Sequence, residues 1–205
     1  MISRNIITRA IAALLLVVVA VDARTDKATG ISFPDTRGGL SLFGVGVRRK
    51  GPIKIYSVAM YSTSALQEKL AQCQKTDKKA LSVLQKGVKE EGQASFSLNM
   101  NFKVGAEKMA SAIADSVAPR HSGSSQDVEK LKALILKGVP QAGATKGTTM
   151  DFDCSHDSIS VTVNGKAQGS VASSSLASAF CDVYLDDKCV SPAMRQDCLD
   201  HLCME

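Results

Sequence analysis

The sequence predicts an α+β fold in which an antiparallel sheet carries a layer of helices on one face. Residues 40–61 form two apolar strands joined by a short basic turn, and residues 94–104 alternate apolar and polar side chains, as a strand with one buried face does. Residues 124–140 instead repeat apolar side chains at helical spacing and end at a glycine and a proline. Strands and helices come in separate groups along the chain, which is typical of an antiparallel sheet with a helical layer.

The other elements follow from the same two periodicities. A short first strand is expected over residues 29–33, and a meander of strands over residues 148–171 turns at Asn164-Gly165, since both residues tolerate positive φ. The helices share an apolar stripe at helical spacing and are expected over residues 64–73, 80–88, 105–117, 124–140, 173–185 and from 191 onward. Ser191-Pro192 is a cap and first-turn pair for the last of them.

The first strand of residues 40–61 carries an unusual set of side chains. Strict alternation places the following residues on one face: Leu40, Leu42, Gly44, Gly46 and Arg48. Glycine inside a strand often marks the close approach of a ligand or of another backbone segment. An arginine that follows such glycines on the same face could bind a carboxylate or a phenolate. The alternative is an arginine at the strand end that reaches solvent beside Arg49 and Lys50.

Length and charge limit the possible functions. The 205 residues suffice for one domain with a sizeable core. The formal charge of +5 is mild, and the basic residues are scattered among acidic ones rather than interleaved with aromatic residues. Nucleic acid is therefore not expected as a partner.

The N-terminus has the features of a secretory signal peptide. Arg4 and Arg9 supply positive charge, residues 10–21 are apolar, and Val21-Asp22-Ala23 fits the small-residue rule for cleavage. The apolar run is shorter than the about 20 residues that span a bilayer, although an uncleaved anchor is the alternative. We expect residues 1–23 to be a signal peptide and residues 24–205 a single mature domain without a membrane span, secreted or in an organelle of the secretory route. Residues 24–26 are expected to be a mobile terminus.

The cysteines suggest an oxidising compartment. Six follow the signal segment, and four of these lie between residues 181 and 205, so at least one disulfide is expected there, with the pairing open. Cys198, His201 and Cys203 could instead bind a metal, but their spacing is not that of a CxxC pair and no second pair of ligands follows. The sequence therefore predicts neither a metal nor a cofactor.

Three segments together resemble the chalcone isomerase family. They are GVGVR at residues 44–48 followed by IKIYSVAMY at 53–61, GATKGT at 143–148, and a stretch from Gly169-Ser170-Val171 through Ala179-Phe180 and Tyr184-Leu185 to Val190-Ser191-Pro192. Their order and spacing match across roughly residues 29–195. The resemblance implies an open-faced β-sandwich, a large antiparallel sheet with a helical layer, and a ligand cleft between the two.

The resemblance also implies particular site residues. Arg48 matches an arginine shared by the ring-closing isomerases and by the non-catalytic members that bind fatty acids. Tyr56 stands where the isomerases have a threonine and the fatty-acid binders a tyrosine. The helical tyrosine and asparagine of the isomerases fall near Gly105 and Ala112, and their late threonine or serine falls at Val183. Arg48, Tyr56 and Val183 are therefore the expected ligand-binding residues, and none is expected to be catalytic.

Three functions follow as hypotheses. The first is a non-catalytic protein that binds a fatty acid or similar apolar carboxylate, with Arg48 paired to the carboxylate. The second is an intramolecular lyase that acts on a chalcone-like or other unsaturated substrate, such as a flavonoid-like ligand, with different polar groups. The third is a disulfide-stapled interaction protein whose own side chains fill the cleft.

Overall fold

A computed structural model describes residues 22–75 and 78–204. The predicted signal peptide, residues 1–23, lies outside the described residues except for its last two. Within the described part of the chain, no helix is both long and apolar enough to cross a bilayer.

The strands form one large sheet and one small hairpin. The hairpin pairs β1 (Ala23–Thr25) with β2 (Ser32–Pro34). The sheet has seven strands whose spatial order is their order in the chain, and every neighbouring pair is antiparallel. Its strands are β3 (Thr36–Arg37), β4 (Leu40–Lys50), β5 (Ile53–Ser62), β6 (Gln93–Met100), β7 (Thr149–Ser155), β8 (Ser158–Val163) and β9 (Lys166–Ala172).

Six α-helices of the described chain pack on one face of this sheet. They are α1 (Ser64–Leu70), α2 (Lys78–Glu91), α3 (Ala106–Val117), α4 (Ser125–Gly138), α5 (Ser174–Leu185) and α6 (Pro192–Leu202). Ser191 caps α6 as expected, because its hydroxyl accepts a hydrogen bond from the backbone N–H of Met194. The α+β prediction of a large antiparallel sheet with helices on one face, an open-faced β-sandwich, is confirmed.

The sheet buries apolar side chains on both faces. The main core lies between the sheet and the helices, and the alternating residues Phe96, Leu98 and Met100 of β6 point into it. A smaller cluster lies on the opposite face, where Phe33 of the β1–β2 hairpin packs on Leu42, Val45, Ala59 and Tyr61. The hairpin therefore covers part of the face that the helices leave open.

A β-bulge interrupts β4, so its side chains do not alternate strictly as the sequence predicted. The register against β5 shifts between Leu42 and Gly44, so one extra residue enters the strand. Leu40 and Leu42 consequently pack with the hairpin cluster, whereas Phe43 belongs to the main core and Gly44 lies against α6. The two leucines do not share a face with the glycines, because the bulge reverses the parity of the strand at that point.

The two strand glycines accommodate a helix rather than a ligand. A Cβ atom on Gly46 would lie 2.2 Å from the backbone nitrogen of Met194, and one on Gly44 would lie 2.6 Å from that of Cys198. Both contacts are with the backbone of α6. Glycine in this strand therefore serves the close approach of another backbone segment, the second of the two roles expected from the sequence.

Residues 24–26 are held by contacts with distant segments, in contrast to the mobile terminus expected there. Arg24 lies in β1, and its guanidinium donates to the Phe43 carbonyl (3.1 Å) and to Asp197 of α6 (3.3 Å). Asp26 is buried and accepts hydrogen bonds from Ser57 (2.6 Å) and Thr29 (2.8 Å). These polar contacts between distant segments have no periodic signal in the sequence, so pattern analysis missed them.

The cysteines differ from expectation, because all six are free thiols in this structure and the disulfide expected between residues 181 and 205 is not formed. The fold distributes the four cysteines of that segment over different surroundings, and Cys181 lies beside Cys154 of β7 instead. Cys198 points toward the Met194 sulfur at 3.6 Å. Among the described residues, no three histidine, cysteine or acidic side chains are grouped as a metal site would need.

Candidate functional site

A cavity of about 460 Å³ opens between the sheet and the helical layer. It lies where β4 ends and β5 begins, under the first turns of α3, and its volume is within the range of small-molecule sites. Apolar and small residues contribute much of its lining: Ile53, Ile55, Phe102, Val104, Gly105, Met109 and Ala112.

Arg48 and Tyr56 form the inner polar part of this cavity, whose lining also includes four exposed cations: Arg49, Lys50, Lys103 and Lys108. They are directly paired across β4 and β5, and the Arg48 guanidinium donates to the Tyr56 hydroxyl at 3.2 Å. The guanidinium carbon lies 5.7 Å from the centre of the Tyr56 ring, a cation–π distance. The Tyr56 oxygen raises the pKa of Arg48 above its ordinary value, more than burial lowers it, so the charge is permanent. No described carboxylate compensates this charge.

Tyr184 of α5 contacts the Arg48–Tyr56 pair from the buried core. Its hydroxyl lies 3.0 Å from that of Tyr56, and its side chain is 1% exposed. The ring stacks on Phe96 with 4.8 Å between centroids and packs against Phe180 at 5.8 Å. Burial raises the pKa of Tyr184 well above its ordinary value, so the phenol keeps its proton. If Tyr184 donates to Tyr56, the proton of Tyr56 is free to point into the cavity.

Tyr184 was not among the residues expected in the site. Its signal was present, because Tyr184 lies four residues after Phe180 and therefore on the same helical face. It also belongs to the Tyr184-Leu185 pair that carries part of the family resemblance. Only the register of α5 against the sheet shows that the hydroxyl reaches Tyr56.

The structure brings most of the expected site residues together. Arg48 and Tyr56 line the cavity, and so do Gly105 and Ala112, the positions at which the resemblance places polar residues of the isomerases. Val183 is buried in the main core and is not among the residues that line the cavity. Consecutive helical residues point about 100° apart, so α5 directs Tyr184 rather than Val183 toward Arg48 and Tyr56. A ligand contact at Val183 stays a prediction without support from this geometry.

The arrangement can hold an anion at one end of an apolar space. The guanidinium supplies a permanent charge, the Tyr56 hydroxyl can donate when Tyr184 donates to it, and the apolar residues of the lining suit hydrocarbon. Fold and site together define an α+β protein with a ligand-sized cavity between a large antiparallel sheet and its helices.

The chain belongs to the chalcone isomerase-like family, whose model matches residues 26–200. A crystal structure of a fatty-acid binding protein from Arabidopsis thaliana has a similar fold, with a TM-score of 0.72 and 21% sequence identity. The similarity covers 88% of this chain and 97% of the Arabidopsis protein. Comparison with curated protein sequences gives no significant match.

Proposed function

We propose that this protein binds a fatty acid or a similar apolar carboxylate without catalysing a reaction. One observation carries the proposal: a half-buried guanidinium without a carboxylate partner lies at an otherwise largely apolar cavity. A buried charge is costly unless it is paired and hydrogen-bonded. The carboxylate of a bound ligand would supply the missing partner of Arg48, and its acyl chain would occupy the apolar lining.

The free donors of the site suit this headgroup. Within the described structure, the Arg48 side chain donates one hydrogen bond, from Nη1 to Tyr56. Its remaining N–H groups can therefore bind the two oxygens of a carboxylate, in the bidentate geometry that arginine favours. The Tyr56 hydroxyl adds a further donor while Tyr184 holds its oxygen in place.

Family and lining both support binding rather than ring closure. The family is chalcone isomerase-like, and a structural neighbour is a fatty-acid binding protein. Ring closure requires directed hydrogen bonds that stabilise charge developing in the transition state. Gly105 and Ala112, near which the resemblance places the tyrosine and asparagine of the isomerases, carry no polar side chain.

The first test is native mass spectrometry of residues 24–205 with organic extraction of any bound molecule. We expect a co-purifying mass in the range of fatty acids, or uptake of added fatty acid. An apo mass that stays unchanged with excess fatty acid contradicts the proposal, and a chalcone assay would then test the lyase.

The role of Arg48 is tested by displacement of a fluorescent fatty acid. Loss of a charge-assisted hydrogen bond predicts that Arg48→Ala weakens binding of the free acid roughly 10- to 100-fold and leaves the methyl ester nearly unaffected. Arg49→Ala is the matched control for a second cation of the same cavity: Arg49 is exposed beyond the register shift that follows Arg48, so we expect a smaller loss there. Equal losses for acid and ester, or a larger loss in the control, would show that Arg48 is not the anchor.

We also propose that residues 1–23 direct the chain into the secretory route. Support comes from the charge, apolar run and cleavage pattern of the sequence. N-terminal sequencing of the protein released by eukaryotic cells should begin at Arg24, and retention of Met1 in an unprocessed product would contradict the proposal.

A further inference from the structure

The opening of the cavity carries an unusual combination of side chains. We call the following six residues the cavity mouth: Arg49, Lys50, Ile53, Phe102, Lys103 and Lys108. Only three large apolar side chains are exposed in the described part of the chain, namely Ile53 (41%), Phe102 (49%) and Met204 (52%). Two of the three belong to the cavity mouth. Exposed apolar residues rimmed by polar ones mark a site of interaction.

The backbone geometry around Ile53 and Phe102 leaves both side chains exposed to solvent. Ile53 follows the turn at Gly51, whose φ is +57°, and begins β5 in register with Lys50. The N–H groups of Asn101 and Phe102 both donate to the Ile55 carbonyl, at 2.9 and 3.0 Å. These bonds end the pairing of β6 and present Phe102 beside the start of β5. Sequence alternation had placed Phe102 in the buried face of the strand, and the structure corrects this.

The charges of the cavity mouth are all positive. Its four cations are exposed, and none forms an ion pair with a described carboxylate. No aspartate or glutamate is among the described residues that line the cavity. The neighbouring Glu107 is turned to another partner, since it pairs with Lys132 at 2.6 Å.

We propose that the cavity mouth docks on the surface of an anionic lipid bilayer. Cations that surround exposed apolar side chains are the chemistry of proteins that lie on membranes: lipid phosphates and carboxylates attract the cations, and the apolar side chains enter the interface. Ile53 and Phe102 then contact the acyl region at the entrance of the cavity. This inference rests on the proposed function in one respect, because it assigns the bilayer as the surface from which the apolar carboxylate enters and to which it returns.

The absence of tryptophan from the chain permits a direct test. Phe102→Trp places a single fluorophore in the cavity mouth. Met204→Trp is the matched control, because Met204 is equally exposed but pairs with Gln74, beyond α1 at the other end of β5. Both proteins are mixed with vesicles of phosphatidylcholine alone and with vesicles that also contain phosphatidylserine.

We expect the emission of Phe102→Trp to move to shorter wavelength with phosphatidylserine vesicles only, and that of Met204→Trp to stay unchanged. Lys50→Gln combined with Lys103→Gln should weaken vesicle binding of Phe102→Trp roughly 25-fold, at roughly fivefold for each cation. Lys86→Gln combined with Lys166→Gln, two exposed lysines outside the cavity mouth, should leave it unchanged. A shift in both tryptophan variants, or equal loss in both lysine pairs, overturns the inference.

Two further outcomes distinguish a bilayer from an acidic protein partner, and docking from fatty-acid binding. If polyglutamate without vesicles produces the same shift, the partner is an acidic protein and the bilayer is the wrong occupant.

Vesicle binding is also measured with Arg48→Ala and without fatty acid. Docking that survives in Arg48→Ala while fatty-acid binding is lost supports the inference as a separate property. Intact fatty-acid binding without any vesicle response overturns the docking inference and leaves the proposed function standing.

Discussion

Arg48, Tyr56 and Tyr184 form one continuous row of polar groups beneath the cavity. The guanidinium contacts the first hydroxyl at 3.2 Å and the two hydroxyls lie 3.0 Å apart. Tyr184 itself is fixed by aromatic stacking in the dry core, so its hydroxyl has little freedom. When Tyr184 donates to Tyr56, this row orients the Tyr56 proton, and Tyr184 then acts as a positioning residue rather than a ligand contact.

Tyr184→Phe tests this arrangement. It removes one buried hydrogen bond, so we expect the affinity for a fatty acid to fall about 2- to 10-fold and the free energy of unfolding to fall by about 1 kcal/mol. Binding is measured by displacement and stability by urea unfolding. The methyl ester serves as the control ligand, because a merely structural defect would weaken acid and ester alike. Loss of both to the same extent contradicts a positioning role.

Tyr61 is the opposite case, a buried hydroxyl without a described hydrogen-bond partner. It lies in the hairpin cluster, and burial raises the pKa of Tyr61 to about 12. An unfolded tyrosine ionises at about pH 10. The folded chain therefore holds this proton more tightly, so the contribution to stability is complete below about pH 10 and is lost as the pH rises through about 12.

Tyr61→Phe should consequently not destabilise the protein. We expect its free energy of unfolding at pH 7 to equal that of the wild type or exceed it by up to about 1 kcal/mol, because an unpartnered polar group is removed. The difference should grow between pH 10 and 12, where only the wild type loses the proton on unfolding. Urea unfolding across this range measures it. Tyr184→Phe is the matched control that should lose stability at pH 7, and a larger loss in Tyr61→Phe would contradict the assignment.

Among the elements, β4 and α6 form the closest contact with backbone atoms that the described glycines reveal. The missing side chains of Gly44 and Gly46 let the helix backbone lie directly on the strand. The Ser191 hydroxyl fixes the beginning of α6 there, since it donates to the Val47 carbonyl at 3.1 Å. This contact sets the position of the strand that carries Arg48, although neither glycine lines the cavity.

Gly46→Ala should destabilise the fold by about 1–3 kcal/mol or more, because the added methyl group overlaps backbone atoms that cannot rotate away. Gly105→Ala is the matched control: its φ of −58° suits alanine, and no atom lies within 4 Å of the added methyl group. Urea unfolding of both variants provides the comparison. Equal stability of the two variants would show that the strand and the helix separate without cost.

The N-terminal hairpin connects distant parts of the whole molecule. Arg24 links β1 to α6 through Asp197, and Asp26 is buried against Ser57 of β5. From Arg24 onward, the described chain therefore contacts both α6 and the sheet. The hairpin completes the second apolar cluster, which otherwise would expose Leu42 and Tyr61.

A truncation at this end tests its contribution. A chain of residues 28–205 loses Arg24 and Asp26, and we expect it to be less stable than residues 24–205 by about 2 kcal/mol or more, because charged groups with several hydrogen bonds are removed. Thermal unfolding at equal concentration measures the difference. Arg24→Ala and Asp26→Ala in the longer chain separate the two contributions. Unchanged stability on truncation would mean that the hairpin does not support the sheet.

The sequence by itself determined the parts of the fold that depend on local chemistry. The alternation of β6, the cap at Ser191 and the turn at Asn164-Gly165, whose φ values are 49° and 73°, follow from side-chain period and backbone preference. The candidate anchor Arg48 and its partner Tyr56 also followed from the sequence, through the family resemblance. Family and layer arrangement were therefore accessible from residue patterns and motifs alone.

Only the tertiary structure decided which distant groups meet. A bulge of one residue reversed the parity of β4, and the backbone of α6, not a ligand, explained its glycines. The register of α5 selected Tyr184 instead of Val183, and the end of β6 exposed Phe102. Such outcomes depend on contacts between residues far apart in the chain. The spacing of apolar residues predicts which side of a strand or helix is buried, but it does not predict which residues pack against that side.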